Sequence, residues 1–367
     1  MQKKLTIQDI ARLAGVSKAT VSRVLNHNPS VATDLSERVM RIVQEYDFVP
    51  NITATGLAGG RTRLLGVLAP PLTWPAVPEI MRGVAAYIEQ TKYEIVLYSV
   101  SFDRDHSEVL DGILAMRMVS GLLAIFPGNL SPHLMTRFHT GLPLVMIDDR
   151  QRPANIPWIG VDNVASAYKA TKHLLDQGYR RIAHLHGPES YCCATERYEG
   201  YCQALRDAGI EPDPELHFQG NFTVPSGRQC AELIFAREKS TWPEALFVSN
   251  DQMAYGVLEV AEERGVRVPD ELALVGFDDN LLSLHMRPPL TTVRQPFFEM
   301  GSIAIEVLLK MIDPDHQLAE EQKGDTLLGL DGISYDVTSD QPVHIQLPTN
   351  LVVRASSGTA RTLSIGP

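Results

Sequence analysis

No stretch of this 367-residue chain stays apolar over the ~20 residues that a bilayer-spanning helix needs. The N-terminus also lacks the apolar core of a secretory signal, so the expectation is a cytoplasmic protein without a membrane partner. Cysteine is scarce: Cys192, Cys193, Cys202 and Cys230 form no C-x-x-C pair and no His/Cys metal spacing, and read as reduced, structural residues. His184 and His186 form an H-x-H with no third ligand nearby in sequence, which reads as packing on a strand face. There is no G-x-S-x-G elbow and no glycine-rich phosphate loop. The carboxylate pairs Asp148/Asp149 and Asp278/Asp279 do not replace them, because adjacent residues on a strand point to opposite faces and cannot flank one bond. The expectation is a chain without enzymatic activity, cofactor or metal.

What is present is size, core-forming content and a divided charge. Length suggests two or three domains, and 44% hydrophobic residues can fill real cores. Residues 1–63 carry nine Lys/Arg against five Asp/Glu, net +4, while the remainder carries 24 against 39, net -15, in keeping with the total of -11. A cationic head therefore precedes an acidic body. Counterion release depends on local basic surface, so only the head suits a nucleic acid.

The head contains two helical patterns at close spacing. Ile7, Ile10, Ala11 and Ala14 recur at helical period after Thr6, a candidate N-cap. Gly15 suits a left-handed helix exit, and Ser17 can cap a second helix over residues 18–25. In that helix Val21, Val24 and Leu25 face inward, which leaves Lys18, Ala19, Ser22, Arg23 and Asn26 on or near the open face. A short, polar, cationic helix face is what a major-groove reader presents. Glu37, Val39, Ile42, Val43 and Tyr46 predict a third amphipathic helix.

From Leu64 onward, apolar runs of strand length alternate with helical patterns. The runs are LLGVLAP, EIVLYSV, GLLAIFP, LPLVMID, RIAHLHG, EALFVSN and ELALVGFDD, with helices predicted over 78–90, 164–176, 195–208, 252–264 and 297–312. Such repetition implies an α/β body of parallel sheets covered on both faces, with ligands at the carboxyl ends of the strands.

The motifs also occur together in a specific order. TVSRVLN at 20–26, FVPN at 48–51 and the Leu57-Ala58 pair are followed by GVDN at 160–163, GYRRIAHLHG at 178–187 and RYEGY at 197–201. SNDQMAYG at 249–256, VPDELALVGFDD at 268–279 and PPLTTVRQP at 288–296 complete the series. The chain resembles the lactose-repressor/galactose-repressor family of bacterial transcription regulators through most of its length. The resemblance implies a helix-turn-helix head (1–48), a hinge helix or linker (49–63), a two-lobed periplasmic-binding-protein-like effector and dimerisation body (64–357) and a tail (358–367). Lobe 1 is expected over about 64–162 and 294–323, lobe 2 over about 163–290 and 342–357, with three crossings between them. Residues 344–356 are expected to close the second lobe. The segment 313–342, rich in Asp, Glu, Gly and Gln, is expected to be a loop or small hairpin without an assigned role.

Carried onto matching positions, the resemblance assigns Lys18, Ala19 and Arg23 to base edges and Ser17, Thr20, Ser22 and Asn26 chiefly to phosphates. Asn51 to Ala58 would form the hinge helix, with Leu57 as a minor-groove wedge. Thr53, Thr55 and Gly56 are poor helix formers, so this segment is expected to fold on DNA. The effector positions fall on Asp148, Arg197, Asn250, Asp278 and Gln295, with Phe222 and Phe297 as aromatic neighbours. Tyr191 and Cys193 fall in the variable loop before Arg197, and Trp74, after the first strand, could add a stacking face. Carboxylates accept from neighbouring hydroxyls while arginine and amides donate, an inventory suited to a sugar.

The expected function is a sequence-specific DNA-binding regulator, a repressor, that binds a near-palindromic operator as a homodimer. The short tail without heptads favours that dimer over a tetramer. A small-molecule effector, most simply a sugar, would control operator affinity. A nucleobase effector or a protein co-regulator are the alternatives; Ala76 and Val77, where the purine-binding branch carries aromatics, count against the first. A plain solute-binding protein fits badly with the DNA-binding head.

Overall fold

The computed structural model describes residues 5–25, 31–46, 48, 62–99, 119–127, 141–147, 154–316 and 342–358. The chain divides into two compact units, Met1–Leu64 with Gly112–Ser120, and Leu65–Asp111 with Gly121–Pro367. Among the described residues the first holds three helices, α1 (Ile7–Ala14), α2 (Lys18–Leu25) and α3 (Thr33–Glu45). Local chemistry sets the first two. Thr6 and Asp9 form a reciprocal capping box, each side chain accepting from the other's backbone N–H. Gly15 leaves α1 at φ 64°, and the Val16 N–H closes onto the Ala11 carbonyl at 3.0 Å. The Ser17 hydroxyl then caps α2 by accepting from the Thr20 N–H at 3.1 Å. Ile10, Ala11, Ala14, Val21, Val24 and Val39 make the small core that joins the three helices.

Among the described residues the body holds two six-stranded sheets. The first is built from β1 (Leu64–Ala69), β2 (Glu94–Ser99), β3 (Leu122–Ile125), β4 (Leu144–Ile147), β5 (Trp158–Val161) and β11 (His344–Leu347), in the order β11-β5-β4-β3-β1-β2. The second uses β6 (Ile182–His186), β7 (His217–Gln219), β8 (Ala245–Val248), β9 (Ala273–Asp278), β10 (Thr291–Arg294) and β12 (Asn350–Val352), in the order β12-β10-β9-β8-β6-β7. Central pairings are parallel; β12 runs antiparallel to β10.

Helices α4 (Ala76–Ile88) and α9 (Phe297–Ile312) cover the first sheet. The second is covered on both faces, by α5 (Asn163–Asp176) with α6 (Cys192–Asp207), and by α7 (Val224–Phe235) with α8 (Asp251–Glu263). The period-2 rule is visible within β8: Ala245 and Phe247 join the core under α5 and α6, while Leu246 and Val248 join the core under α7 and α8.

Among the described residues the chain changes sheets after β5, after β10 and between β11 and β12. Three expectations change. Residues 344–347 do not close the second lobe but pair in parallel with β5 of the first, because Ile345 and Leu347 alternate inward onto that core once α9 has returned there. Only 350–357 belong to the second lobe, and that lobe extends through β10 to Arg294, since 291–294 pair with β9. Helix α6 begins at Cys192 instead of 195, so Cys193 sits in its first turn, buried, and not in a loop. Residues 317–341 and 359–367 lie outside the described residues.

Helices α4 and α9 meet where side chains are missing. A Cβ on Gly301 would stand 2.1 Å from the Ile80 carbonyl oxygen, which is main chain and cannot rotate away. Gly301→Ala should therefore lower the stability of the body by roughly 1–3 kcal/mol, the range for overpacked cores, read as a fall in the urea midpoint at unchanged slope.

Candidate functional site

The first site is the outer face of α2. Lys18, Ala19 and Arg23 are exposed, and Ser22 is half-buried. Ser17 and Thr20 are partly spent on the helix start, their hydroxyls 2.8 Å apart. Val21 and Val24, fully in the core, fix the rotation of the helix and so determine which residues face outward. Asn26, Asn51, Leu57 and Ala58 lie outside the described residues.

The second site is built at strand ends of the second lobe around Arg197, which is 2% exposed on α6. Its Nε donates to Asn163 Oδ1 at 2.9 Å and its Nη1 to the Ser249 carbonyl at 2.7 Å. The guanidinium lies 3.8 Å over the Phe277 ring and 6.0 Å from that of Phe222. Asn163 in turn donates to Glu196 at 2.9 Å. Tyr191, at the N-cap of α6, is near-parallel to Phe222 at 6.0 Å, with 23° between ring planes. One residue beyond Phe277, Asp278 accepts from Gln295 Nε2 at 2.7 Å. Thus Tyr191, Arg197 and Phe222 form one linked group, and Asp278 with Gln295 another, joined through the Phe277–Asp278 step.

The other expected residues are placed differently. Asn250 caps α8, its Oδ1 accepting from the Met253 N–H at 3.0 Å and its Nδ2 donating to the Phe222 carbonyl at 3.1 Å. Phe297 is buried in the core of the first lobe, and Trp74 is exposed in the turn after β1. Asp148 lies outside the described residues.

Sequence reasoning missed Asp251, a fully buried carboxylate one residue beyond Asn250. It accepts from Thr292 Oγ1 at 2.6 Å, the Asn280 N–H at 2.9 Å and Ser283 Oγ at 2.6 Å. Ser283 also shares a 2.8 Å bond with the Tyr255 hydroxyl. Burial, and then the negative charge of nearby Asp278, push Asp251 up from 3.8 to about 8 despite these donors. The next acidic pair is no catalytic dyad, because Asp279 is held by Arg294 at 2.6 Å and Arg354 at 2.7 Å. His184 spends both ring nitrogens on protein: Nδ1 donates to the Phe247 carbonyl at 3.1 Å, so Nε2 accepts from Ser249 Oγ at 3.1 Å. Burial holds it neutral, well below the ordinary imidazole range.

Comparison with known proteins gives this geometry a context. A family model described as bacterial regulatory proteins, lacI family, matches residues 6–51, and one described as a periplasmic-binding-protein-like domain matches 171–357. Catabolite control protein A of Priestia megaterium is 31% identical over 312 residues, 85% of this chain and 93% of that protein. The chain belongs to the LacI family of bacterial regulatory proteins. Another LacI-family relative, the HTH-type transcriptional repressor PurR of Aliivibrio fischeri, is 34% identical over 319 residues, 85% of this chain and 93% of that one. The Lac repressor dimer bound to operator and the anti-inducer ONPF shares the fold at TM-score 0.79 and 27% identity, covering 97% of this chain and 100% of that one. The transcriptional regulator CelR-cellobiose complex does so at TM-score 0.68 and 29% identity, covering 96% and 99%. This LacI-family chain is a transcriptional regulator with a DNA-binding domain and an effector-binding domain, and its relatives are named as regulators, not enzymes.

Asp251 gives a pH prediction. A carboxyl whose folded pKa is raised contributes stability that is fully present below its unfolded value and is lost as pH rises through the folded one. The Asp251 contribution should therefore decline as pH is raised from about 4 toward 8, opposite in sign to that of His184, whose lowered value adds stability as pH rises. It is read as the difference between the melting profiles of parent and Asp251→Asn: the parent's advantage over the variant should shrink across that range, and a constant difference would show that Asp251 is ionised throughout.

Proposed function

We propose that this regulator is a repressor which binds a near-palindromic operator as a homodimer and releases or tightens on it in response to a sugar. Lys18, Ala19 and Arg23 read bases; Ser17, Thr20, Ser22 and Asn26 chiefly contact phosphates, with Asn51, Leu57 and Ala58 on the hinge side. One short recognition helix covers too few base pairs for selectivity, which is why two copies are needed. The exposed leucines of the turn after β9, Leu281, Leu282 and Leu284, supply an apolar surface suited to a second copy.

The observation that carries the effector reading is the Asp278–Gln295 pair beside the Arg197 wall. A partly exposed carboxylate and an amide present an acceptor and a donor to neighbouring hydroxyls, while Phe222 and Tyr191 offer apolar ring faces. Asp148 and Trp74 would add to the same site from the first lobe. The solved relative with cellobiose supports a sugar. A nucleobase is the second reading, favoured by the near-parallel Tyr191 and Phe222 rings and in keeping with relatives named PurR.

The test is a thermal-shift panel on the full chain with cellobiose, other di- and monosaccharides, adenine, guanine and hypoxanthine. A sugar should raise the melting temperature, and Asp278→Asn should abolish most of the shift; a response to nucleobases alone would replace the sugar reading. On the DNA side, Arg23→Ala should lose roughly 1–3 kcal/mol of discrimination between operator and scrambled duplex while keeping weak, salt-sensitive binding. Equal discrimination in variant and parent would remove Arg23 from the base-reading set.

A further inference from the structure

Phe222 occupies an unusual backbone position. Its φ is +66°, a left-handed conformation that bulky side chains rarely adopt. The neighbouring residues account for how it is held. Asn221 Oδ1 accepts from the Thr223 N–H at 3.2 Å and from its hydroxyl at 2.5 Å, which ties a turn around residue 222. The Phe222 carbonyl, turned inward by that conformation, accepts from Asn250 Nδ2 at 3.1 Å. The ring tip lies where a side chain on Gly187 would begin: a Cβ there would be 2.2 Å from Cζ and 2.3 Å from Cε1. Gly187 is itself anchored, its carbonyl accepting from Gln219 Nε2 at 2.5 Å. The ring is thus fixed at its backbone by Asn250 and at its tip by the bare Cα of Gly187, and it stands near Tyr191 and Arg197.

We propose that Asn250 and Gly187 are positioning residues of the effector site: they set the pose of the Phe222 ring as its aromatic wall. The proposal rests on the reading that Phe222 faces the effector, but the ring's pose is a property of the free protein and is tested there. Asn250 acts through both ends of its amide. Its oxygen starts α8, and its nitrogen holds a carbonyl 28 residues earlier in the chain. Strand β6, which ends just before Gly187, and the cap of α8 therefore converge on one phenylalanine.

Two substitutions separate this role from plain structure. Asn250→Ser keeps an uncharged capping oxygen of equal quality but is too short to donate to the Phe222 carbonyl. Gly187→Ala leaves the backbone pairing intact but fills the space at the ring tip. The full-length, ligand-free protein is labelled with 4-fluorophenylalanine, and the Phe222 signal is assigned by its loss in Phe222→Leu. In the parent chain that fluorine resonance should stand apart from the solvent-exposed value. In both variants it should move toward that value, while Asn250→Ser keeps a melting temperature within a few degrees of the parent. Gly187→Ala should lower the melting temperature in the parent background and have no effect in a Phe222→Ala background. A Phe222 resonance unmoved in both variants, or a Gly187→Ala penalty that persists without the ring, would overturn the proposal. A chain in which the resonance responds as described but no sugar or nucleobase binds would leave the positioning role standing and remove the effector reading instead.

Discussion

The arrangement of the second lobe depends on keeping one guanidinium out of water. An arginine side chain stays charged at any working pH, so a 2%-exposed Arg197 has to be met by groups that replace its hydration. It is met by an amide oxygen from Asn163, a main-chain carbonyl from Ser249 and the face of Phe277. Hydrogen bonds to a charged group are worth about 1.5–3 kcal/mol each, more than neutral ones. Those partners come from the start of α5, the end of β8 and the end of β9. The cation therefore fixes three strand-end segments relative to α6, and the aromatic wall of Tyr191 and Phe222 is placed against that fixed frame.

The same residues lie at the places where the chain changes lobes. Asn163 follows the first crossing, Gln295 follows the strand that leads into the second, and Thr349 of the third shares a 2.7 Å bond with Ser166 on α5. Side chains of the proposed effector site are thus bonded to, or are part of, the segments that join the lobes. A ligand shifts an equilibrium only through different affinity for its two states. In the proposed regulator, contact with the crossings would give that difference a physical origin, because a ligand group that takes Asp278 as its acceptor competes with Gln295.

Much of this was legible in the sequence wherever the signal is local. Helices α1 and α2 occupy the bounds that Thr6, Gly15, Ser17 and the apolar period predict. The alternation of strands and helices was equally readable, since fully buried parallel strands are short apolar runs. What sequence could not supply was partner choice. Nothing in HIQL says that it pairs with β5 and not with β10; the position of α9 decides it. The start of α6 was missed because Tyr191 caps it without a side-chain bond. Asn250, expected at an effector position, also caps α8 and bonds the Phe222 carbonyl, a partner 28 residues earlier that its sequence context does not show. Asp251 gave no signal at all, because its donors come from residues 29 to 41 positions later in the chain.

In the proposed regulator, an effector wall organised by Arg197 controls an operator-reading face on α2. The direct measurement is fluorescence anisotropy of a labelled near-palindromic duplex, titrated with the full chain in the absence and presence of the sugar that raises its melting temperature. The sugar should change duplex affinity in the parent chain. Arg197→Lys, which keeps the charge but loses the planar fork, should bind the duplex equally well without sugar and no longer respond to it. A duplex affinity indifferent to the sugar in the parent chain, or a full response in Arg197→Lys, would contradict control of the operator face by the Arg197 site.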